Sequence, residues 1–485
     1  MKAATEKLLL FFAMIKHYAT LTFLHLCLLV QSNDLQFLFN DSLQNAEGRS
    51  VKALNGSFYF IGNADDSLGN TKTILTKLDK DGNVVWWNSY GDSTIHVSPF
   101  INLTATNELI VTGQKLSGSN TDYEITLIDT SGNMIWNRSY GTASKNESLK
   151  YIESTTDKGF IGCGYTTQTN LAANDFLVVR FDSSGSILWQ KTYGSNHNDY
   201  AQMLRRTSNG NYIVSGDIHN GHDMDTYLLL IDSVGNEIWN RVAGDVYDNG
   251  NQTVLINHAG DFILCGESTT AGGFEFDIYL AAFGAQGNFL WSRYMGGNGS
   301  DAGFAITENL NHQYFITGYS SSIYNGAPYT AYLLKLDSAF HPLGLKYYPQ
   351  PDLTICYDEI LLNDSTFVLA GTSGSNFYMV LTNDSGYNSN FIEHDLVSDV
   401  STLTADAFEV KVFKASKEEL KVEIMSPEKF SSTEFKLFDM SGRLLFKNQF
   451  TKLFSVDLSC FETSYFFWRA EDEHGNSKSG KFIGY

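Results

Sequence analysis

The segments Asp79-Lys-Asp-Gly82-Asn-Val-Val-Trp86 and Asp232-Ser-Val-Gly235-Asn-Glu-Ile-Trp239 are two copies of one turn followed by one strand. Trp136, Trp189 and Trp291 occupy the same place in three further copies, so that five of the seven tryptophans recur at intervals of 50 to 53 residues. A period of that size marks a supersecondary unit that cannot bury its apolar face alone and stacks on its neighbours. A second landmark counts the units: Gly62, Gly113, Gly164, Gly216, Gly266, Gly318 and Gly371 recur at the same spacing, seven times.

Four residues before each of these glycines stands a large apolar side chain: Phe58, Leu109, Phe160, Tyr212, Phe262, Tyr314 or Phe367. Ahead of it come Asn55-Gly56, Lys158-Gly159, Asn209-Gly210 or Ala259-Gly260, residue types that admit the positive φ of hairpin turns. Beyond the glycine a polar loop leads to a third strand, as in Phe176–Phe181, and the Asp-x-x-Gly turn then leads to the tryptophan strand. With the opening segment, such as Tyr151-Ile-Glu-Ser154, each unit holds four short strands. Seven such units predict an all-β fold, a seven-bladed β-propeller. The recurrent glycine is expected to let neighbouring blades approach, and the tryptophan to lie between adjacent sheets.

Two units are worn. Asp337-Ser-Ala-Phe-His-Pro lacks both the turn glycine and the tryptophan, and the last unit reaches Asn390 where tryptophan is due. Leu35-Gln-Phe-Leu-Phe39 reads as a stray tryptophan strand without its tryptophan. It is expected to pair into the seventh blade and close the ring, covering an open sheet edge.

The composition is that of a packed β protein: 43% hydrophobic, 14% aromatic, 18% charged, with 41 glycines for turns. A net charge of −21 excludes a nucleic-acid partner, which requires clustered Lys and Arg. Tyr18 to Val30 is almost uncharged and ends at Val30-Gln31-Ser32, the pattern of a secretory signal at residues 1–32, with Met14 as an alternative start. A membrane anchor is the rival reading, but each apolar run falls short of the ~20 residues of a spanning helix. Past the signal remain Cys163, Cys265, Cys356 and Cys460, with no CxxC. Cys163 and Cys265 share one repeat position two units apart, too far to bond in a radial array, and are expected to be small buried apolar residues.

Candidates for chemistry are few. Asp79-Lys-Asp-Gly82 begins like a calcium loop, but the acidic twelfth residue is missing and a hairpin turn accounts for it. Asp122, Asp175, Asp225 and Asp277 recur just before the third strand and could gather carboxylates at a rim or channel mouth, although capping of loose strand donors is the commoner role. His219, His222, Asp223 and Asp225 form the densest polar cluster, without zinc-site spacing. There is no G-x-S-x-G, H-E-x-x-H or phosphate loop. The turn is similar to the A-x-D-x-x-T-G-x-x-x-W repeat of pyrroloquinoline quinone dehydrogenase propellers. Here the Asp-to-Gly interval is one residue shorter, the Thr is missing, the units number seven rather than eight and no adjacent cysteine pair exists, so the likeness implies shared blade packing and no quinone cofactor.

From about Phe408 the period stops and Lys becomes common. Alternation in Phe408–Phe413, Leu420–Ile424, Glu434–Phe438 and Ser464–Arg469 predicts a small β-sandwich of six or seven strands over residues 401–485. The strand near Val410 to Phe413, the strand and turn Phe435-Lys-Leu-Phe-Asp-Met-Ser-Gly-Arg443, the Tyr465 strand and the terminal Gly480-Lys-Phe-Ile483 resemble the carboxyl-terminal sorting domain of the type IX secretion system of Bacteroidetes. That resemblance implies passage across the outer membrane, with the type IX secretion machinery as partner, followed by release or display at the cell surface.

Together these readings predict a secreted or surface-displayed binding or scaffold module whose propeller spans 33–400. Its ligand is an extracellular protein or glycan held at a loop face or in the central channel. No catalytic, cofactor-binding or metal residue is assigned, and the chain is not expected to be an enzyme. The alternative is an extracellular carbohydrate-active enzyme with carboxylates at the channel mouth. A third possibility is an assembly factor retained in the envelope.

Overall fold

The structure, a computed structural model, describes residues 29–31, 34–39 and 44–385 apart from the short loops 92–95, 118–119, 143, 168–172, 245–246, 270–274, 298, 323–328 and 364. It also describes seven strands between residues 410 and 483. All the described elements are strands, and none is a helix that could cross a membrane. Residues 1–28 of the expected signal lie outside the described residues, as do Asn390 and the side chain of Cys460.

Six four-stranded antiparallel sheets at 44–90, 96–140, 147–193, 199–243, 249–295 and 301–348 follow one another, each a simple meander. We call them blades 1 to 6 and their strands A to D in chain order. Blade 7 takes strands A to C from 354–383 and its D strand from Asp34–Phe39, paired antiparallel with Leu35 opposite Leu381 and Phe39 opposite Phe377. A three-residue strand, Leu29–Gln31, adds to the outside of that sheet. The A strands touch from blade to blade, and that of blade 7 touches that of blade 1, so the ring is closed. The seven-bladed propeller read from the repeat is therefore the observed fold.

The core is distributed over the seams. Seven hydrophobic clusters each join two adjacent blades; Phe176, Val178, Tyr212 and Leu229 bind blade 3 to blade 4, and Phe37, Phe60, Phe377 and Met379 bind blade 7 to blade 1. Middle strands bury both faces, which is why Phe176-Leu-Val-Val-Arg-Phe181 reads as a continuous apolar run rather than an alternation. Cys163 and Cys265 are buried free thiols among these apolar side chains, as expected, and so is Cys356.

The recurrent glycine has a cause within its own blade besides the expected approach of the neighbouring one. Each A strand carries a β-bulge opposite it. The bulge turns an A-strand carbonyl onto the glycine, so that a Cβ would stand 2.0 Å from Ser148 O at Gly164, 2.0 Å from Tyr200 O at Gly216 and 1.8 Å from Ile355 O at Gly371. The bare backbone thus accommodates the blade's own first strand and, at Gly62 and Gly216, also a ring of the preceding blade, Phe377 Cε1 at 2.5 Å and Phe176 Cζ at 2.8 Å.

The tryptophans lie between blades as anticipated, and each outer strand clasps the next blade's C–D turn. Trp86 packs on Gly132, Trp189 on Gly235 and Trp239 on Gly287. Two residues beyond each tryptophan, Asn88, Arg138, Arg241 and Arg293 donate to the turn carbonyls of Gly132, Ser184, Gly287 and Ala339 at 2.5–3.0 Å. Four beyond, the hydroxyls of Tyr90 and Tyr193 donate to Gly132 and Gly235 at 2.8 and 2.5 Å. In the worn turn Phe340 takes the glycine's place at φ +62°, and its ring meets Trp291 at 4.5 Å and Tyr314 at 4.0 Å. Stacking replaces the glycine contact there.

The carboxyl-terminal strands form a three-stranded sheet from Val410–Ser416, Glu419–Ile424 and Leu453–Asp457, and a four-stranded sheet from Leu444–Phe450, Thr433–Phe438, Tyr465–Asp472 and Ser477–Ile483. Seven strands in two sheets match the strand number read from the sequence. Phe435, Leu437 and Ala470 are buried on neighbouring strands of the second sheet.

Candidate functional site in the central channel

The bulges that demand the glycines also build the channel. A bulged residue is turned out of the ladder. Arg49, Pro99, Lys150, Gln202, Gln252, Phe304 and Tyr357 are those residues, one per blade, and all seven line one central cavity of about 610 Å³. Each stands 13 or 14 residues before its recurrent glycine. The spacing was available in the sequence, but only the paired strands say that this position leaves the ladder.

Cations and rings alternate along the wall. The Arg49 guanidinium lies 4.4 Å from the Tyr357 ring, which meets Phe304 at 5.2 Å. Lys52 lies 5.0 Å from Phe100, Phe100 meets Tyr151 at 4.7 Å, and Arg205 covers Tyr151 at 4.8 Å while donating to its hydroxyl. Of the acidic lining groups Asp358 is tied to its neighbours, while Glu359 is bonded through one oxygen and its buried Oε2 has no hydrogen-bond partner among the described residues. Asp358 accepts from Ser50 Oγ at 2.6 Å, Val51 N at 3.1 Å and Lys52 Nζ at 3.1 Å, and Glu359 accepts from Thr307 Oγ1 at 3.0 Å. Lys150 has no carboxylate partner among the described residues. Burial, with Arg49 nearby, holds its pKa below the ordinary lysine value.

Gln202 is held from behind. Its Nε2 donates to Asp217 Oδ2 at 3.1 Å, while Asn251 N donates to Oδ1 at 2.6 Å, across the seam between blades 4 and 5. Burial pushes the Asp217 carboxyl up to about 7, and that of Glu153, beside Arg205, to about 7 as well. A carboxyl whose pKa rises on folding takes up a proton as the chain folds. Its contribution is full below about pH 4 and is lost as the pH rises through 7, roughly 3–4 kcal/mol per carboxyl at ~1.4 kcal/mol per unit. Urea denaturation is therefore expected to give a higher midpoint at pH 5 than at pH 8. Burial raises the carboxyls of Asp199, Glu267 and Glu359 as well, so Asp217→Asn should remove a part of that difference, and an unchanged slope in the variant would rule out Asp217 as a source.

The carboxylates read from the sequence lie elsewhere. Asp122, Asp225 and Asp277 open the C strands and fold against Gly141, Gly244 and Gly296, where a Cβ would meet their Oδ1 atoms within 2.0 Å. Asp175 stands likewise beside Gly194. They stand at strand entrances, and none of the four lines the central cavity. In Asp79-Lys-Asp-Gly82 the Asp79 carboxylate accepts from Asp81 N at 2.9 Å and Asn83 N at 2.8 Å, and the Asn83 bonds lower its pKa. It ties its own turn, as the hairpin reading required.

Around His219 a second cavity of about 490 Å³ is bounded by Ser195, His197, Asn220 and Val242. His219 Nδ1 accepts from Gly221 N at 2.9 Å, His222 N donates to Asn220 Oδ1 at 2.8 Å, and Asn220 links Asp223 to Asp225. The His219–Asp225 cluster is thus a tied loop. A grouping that spacing did not disclose is His258, Glu308 and His312, from two neighbouring A–B turns.

No family model matches the chain, and no curated protein matches it. Solved structures similar in fold include a protein of unknown function from Dyadobacter fermentans, 11% identical, TM-score 0.42, covering 60% of this chain and 95% of that one. PorZ, an essential surface component of the type-IX secretion system of Porphyromonas gingivalis, is 12% identical, TM-score 0.40, over 94% of this chain and 64% of its own. The polysaccharide lyase Uly1 is 11% identical, TM-score 0.44, over 70% and 90%. The chain is a seven-bladed β-propeller with a lined central channel.

Proposed function

We propose that this chain is a secreted or surface-displayed binding module that takes an anionic segment of an extracellular glycan or protein into its channel. One observation carries the reading: Arg49, Lys52, Lys150 and Arg205 converge on one cavity of a chain with net charge −21, and Lys150 is left without a carboxylate. An unpaired, partly buried ammonium costs stability unless a ligand supplies its counter-charge. The rings of Phe100, Tyr151, Phe304 and Tyr357 add flat surfaces for sugar or side-chain stacking. Engagement of Asp358 by Ser50, Val51 and Lys52 leaves Glu359 without a free carboxylate beside it to complete the pair that glycoside hydrolysis needs, which favours binding.

A screen of uronate-bearing, sulfated and neutral oligosaccharides and of acidic peptides against the full chain tests the proposal. An acidic ligand is expected to lose at least tenfold, about 1.4 kcal/mol, in Lys150→Gln, while the variant melts no lower than the parent. Equal affinity in parent and variant would refute the channel as the site.

Residues 401–485 serve, in this reading, as the sorting domain that hands the propeller to the type IX secretion machinery. Fused to a reporter in a bacterium possessing that machinery, residues 400–485 should bring the reporter to the surface or medium. A reporter left in the periplasm would remove the sorting role while leaving the channel reading intact, and would favour an assembly factor retained in the envelope.

A further inference from the structure

Glu308 ends the A strand of blade 6 at the edge of the channel cavity, with its side chain 9% exposed. His258, in the A–B turn of blade 5, brings Nδ1 to 2.5 Å from Glu308 Oε1, and its backbone amide donates to Oε2 at 2.9 Å. His312, in the A–B turn of blade 6, brings Nδ1 to 3.2 Å from the same Oε1. The two imidazoles stack with centroids 3.5 Å apart, and one ligand atom from each of the three residues lies within 4.8 Å of the others.

The arrangement has the ingredients of a divalent transition-metal site. Two imidazole nitrogens and one carboxylate oxygen are the donor set of open zinc centres, which keep a further position for water or substrate. Tetrahedral bonds of ~2.0–2.1 Å place donor atoms about 3.3 Å apart. The His312–Glu308 separation already matches that spacing, and the His258–Glu308 separation reaches it by rotation of a side chain 47% exposed.

His312 has φ +57°, at a left-handed turn position that Asn107 and Lys158 take in blades 2 and 3 at +63° and +68° and that Gly210 and Gly260 take in blades 4 and 5 at +88° and +84°. The amides of these residues close the same turn, on Thr104 O, Thr155 O, Thr207 O, Asn257 O and Asn309 O. The position accepts glycine or a side chain, and in blade 6 its occupant sets an imidazole against the neighbouring blade's histidine.

We propose that His258, Glu308 and His312 bind one Zn²⁺-class ion at the channel mouth, across the seam of blades 5 and 6, with open coordination positions toward solvent. The site does not depend on the anionic-ligand reading. Isothermal titration of ZnCl₂ into the full chain, free of any affinity histidine tag and of chelator, tests it, with melting curves in parallel. One Zn²⁺ per chain is expected, together with a raised melting temperature. His312→Gly and Glu308→Gln should weaken binding at least tenfold and abolish the shift, whereas His222→Ala should bind as the parent does. Because His312→Gly restores the residue that sister turns use, its apo melt should not fall, which separates ligand loss from misfolding. Absence of saturable Zn²⁺ binding to the parent, or equal binding by a folded His312→Gly, would overturn the proposal. In that outcome the two Nδ1–H groups donate to Glu308 and nothing more.

Discussion

Phe37→Ala is expected to destabilise the propeller by about 3–5 kcal/mol, the usual cost of truncating a buried aromatic ring. For a domain of roughly 350 residues that corresponds to a fall of about 5 °C in melting temperature. Phe37 is 1% exposed although it lies in a six-residue strand far from the rest of blade 7 in sequence. Its ring packs on Gly82 in the C–D turn of blade 1, where a Cβ would stand 2.4 Å from Cζ.

The register explains why a phenylalanine suffices there. Leu35, not Phe37, pairs at the level of the tryptophans, and Phe37 stands where the other blades carry Asn88, Arg138, Lys191, Arg241 and Arg293. Its ring takes over the turn contact from two residues further along the strand. Beside it Gln36 accepts from Tyr378 Oη at 2.6 Å and Gln350 Nε2 at 2.7 Å, both within blades 6 and 7. Deleting residues 33–40 should therefore cost more than Phe37→Ala. It removes the ladder with Asn376–Asn383 and opens an edge that invites association. A melt of the deleted chain within 1 °C of the parent would show that the ring does not close through this strand.

Gly266→Ala should be severely damaging, and Gly250→Ala, on the facing strand, close to neutral. A Cβ on Gly266 would stand 2.0 Å from Gly250 O and 2.9 Å from the Asn251 Cα, both backbone atoms that cannot rotate away. At Gly250 the nearest neighbours are 3.7 Å off, an ordinary contact. We expect a loss of more than about 3 kcal/mol or failure to accumulate soluble protein for the first, and a change within about 0.5 kcal/mol for the second. Equal tolerance at the two positions would mean that the bulge is not held as described. The bulge then could not aim the seven channel residues, so this pair also tests the architecture of the candidate site.

Legibility followed the range of the interactions. Asp79, Gly82 and Trp86 act within a turn or on the next turn along the ring, so their spacing survives as a visible period. The left-handed φ of Asn55, Lys158 and Gly210 was readable for the same reason, since a residue's own sterics decide it. The recurrent glycine was located correctly but explained only in part, because the carbonyl that stands nearest its missing side chain comes from a strand 15 or 16 residues earlier. Asp122, Asp175, Asp225 and Asp277 invited a channel reading because periodicity says that they are equivalent without saying where the equivalent places lie. The channel wall and the His258, Glu308 and His312 cluster were overlooked for the converse reason: their members differ in type from blade to blade and leave no repeating letter.

What the chain of letters settled alone was the number of blades, the four strands in each, the turn chemistry and the displaced closing strand, since all follow from side-chain alternation and backbone preference over a few residues. Which side chains meet in the middle was decided by closure. Seven bulges from residues spread over more than 300 positions face one another only when the A strands are drawn round a common axis, and a cation's neighbours there are set by the blade beside it and not by its own segment.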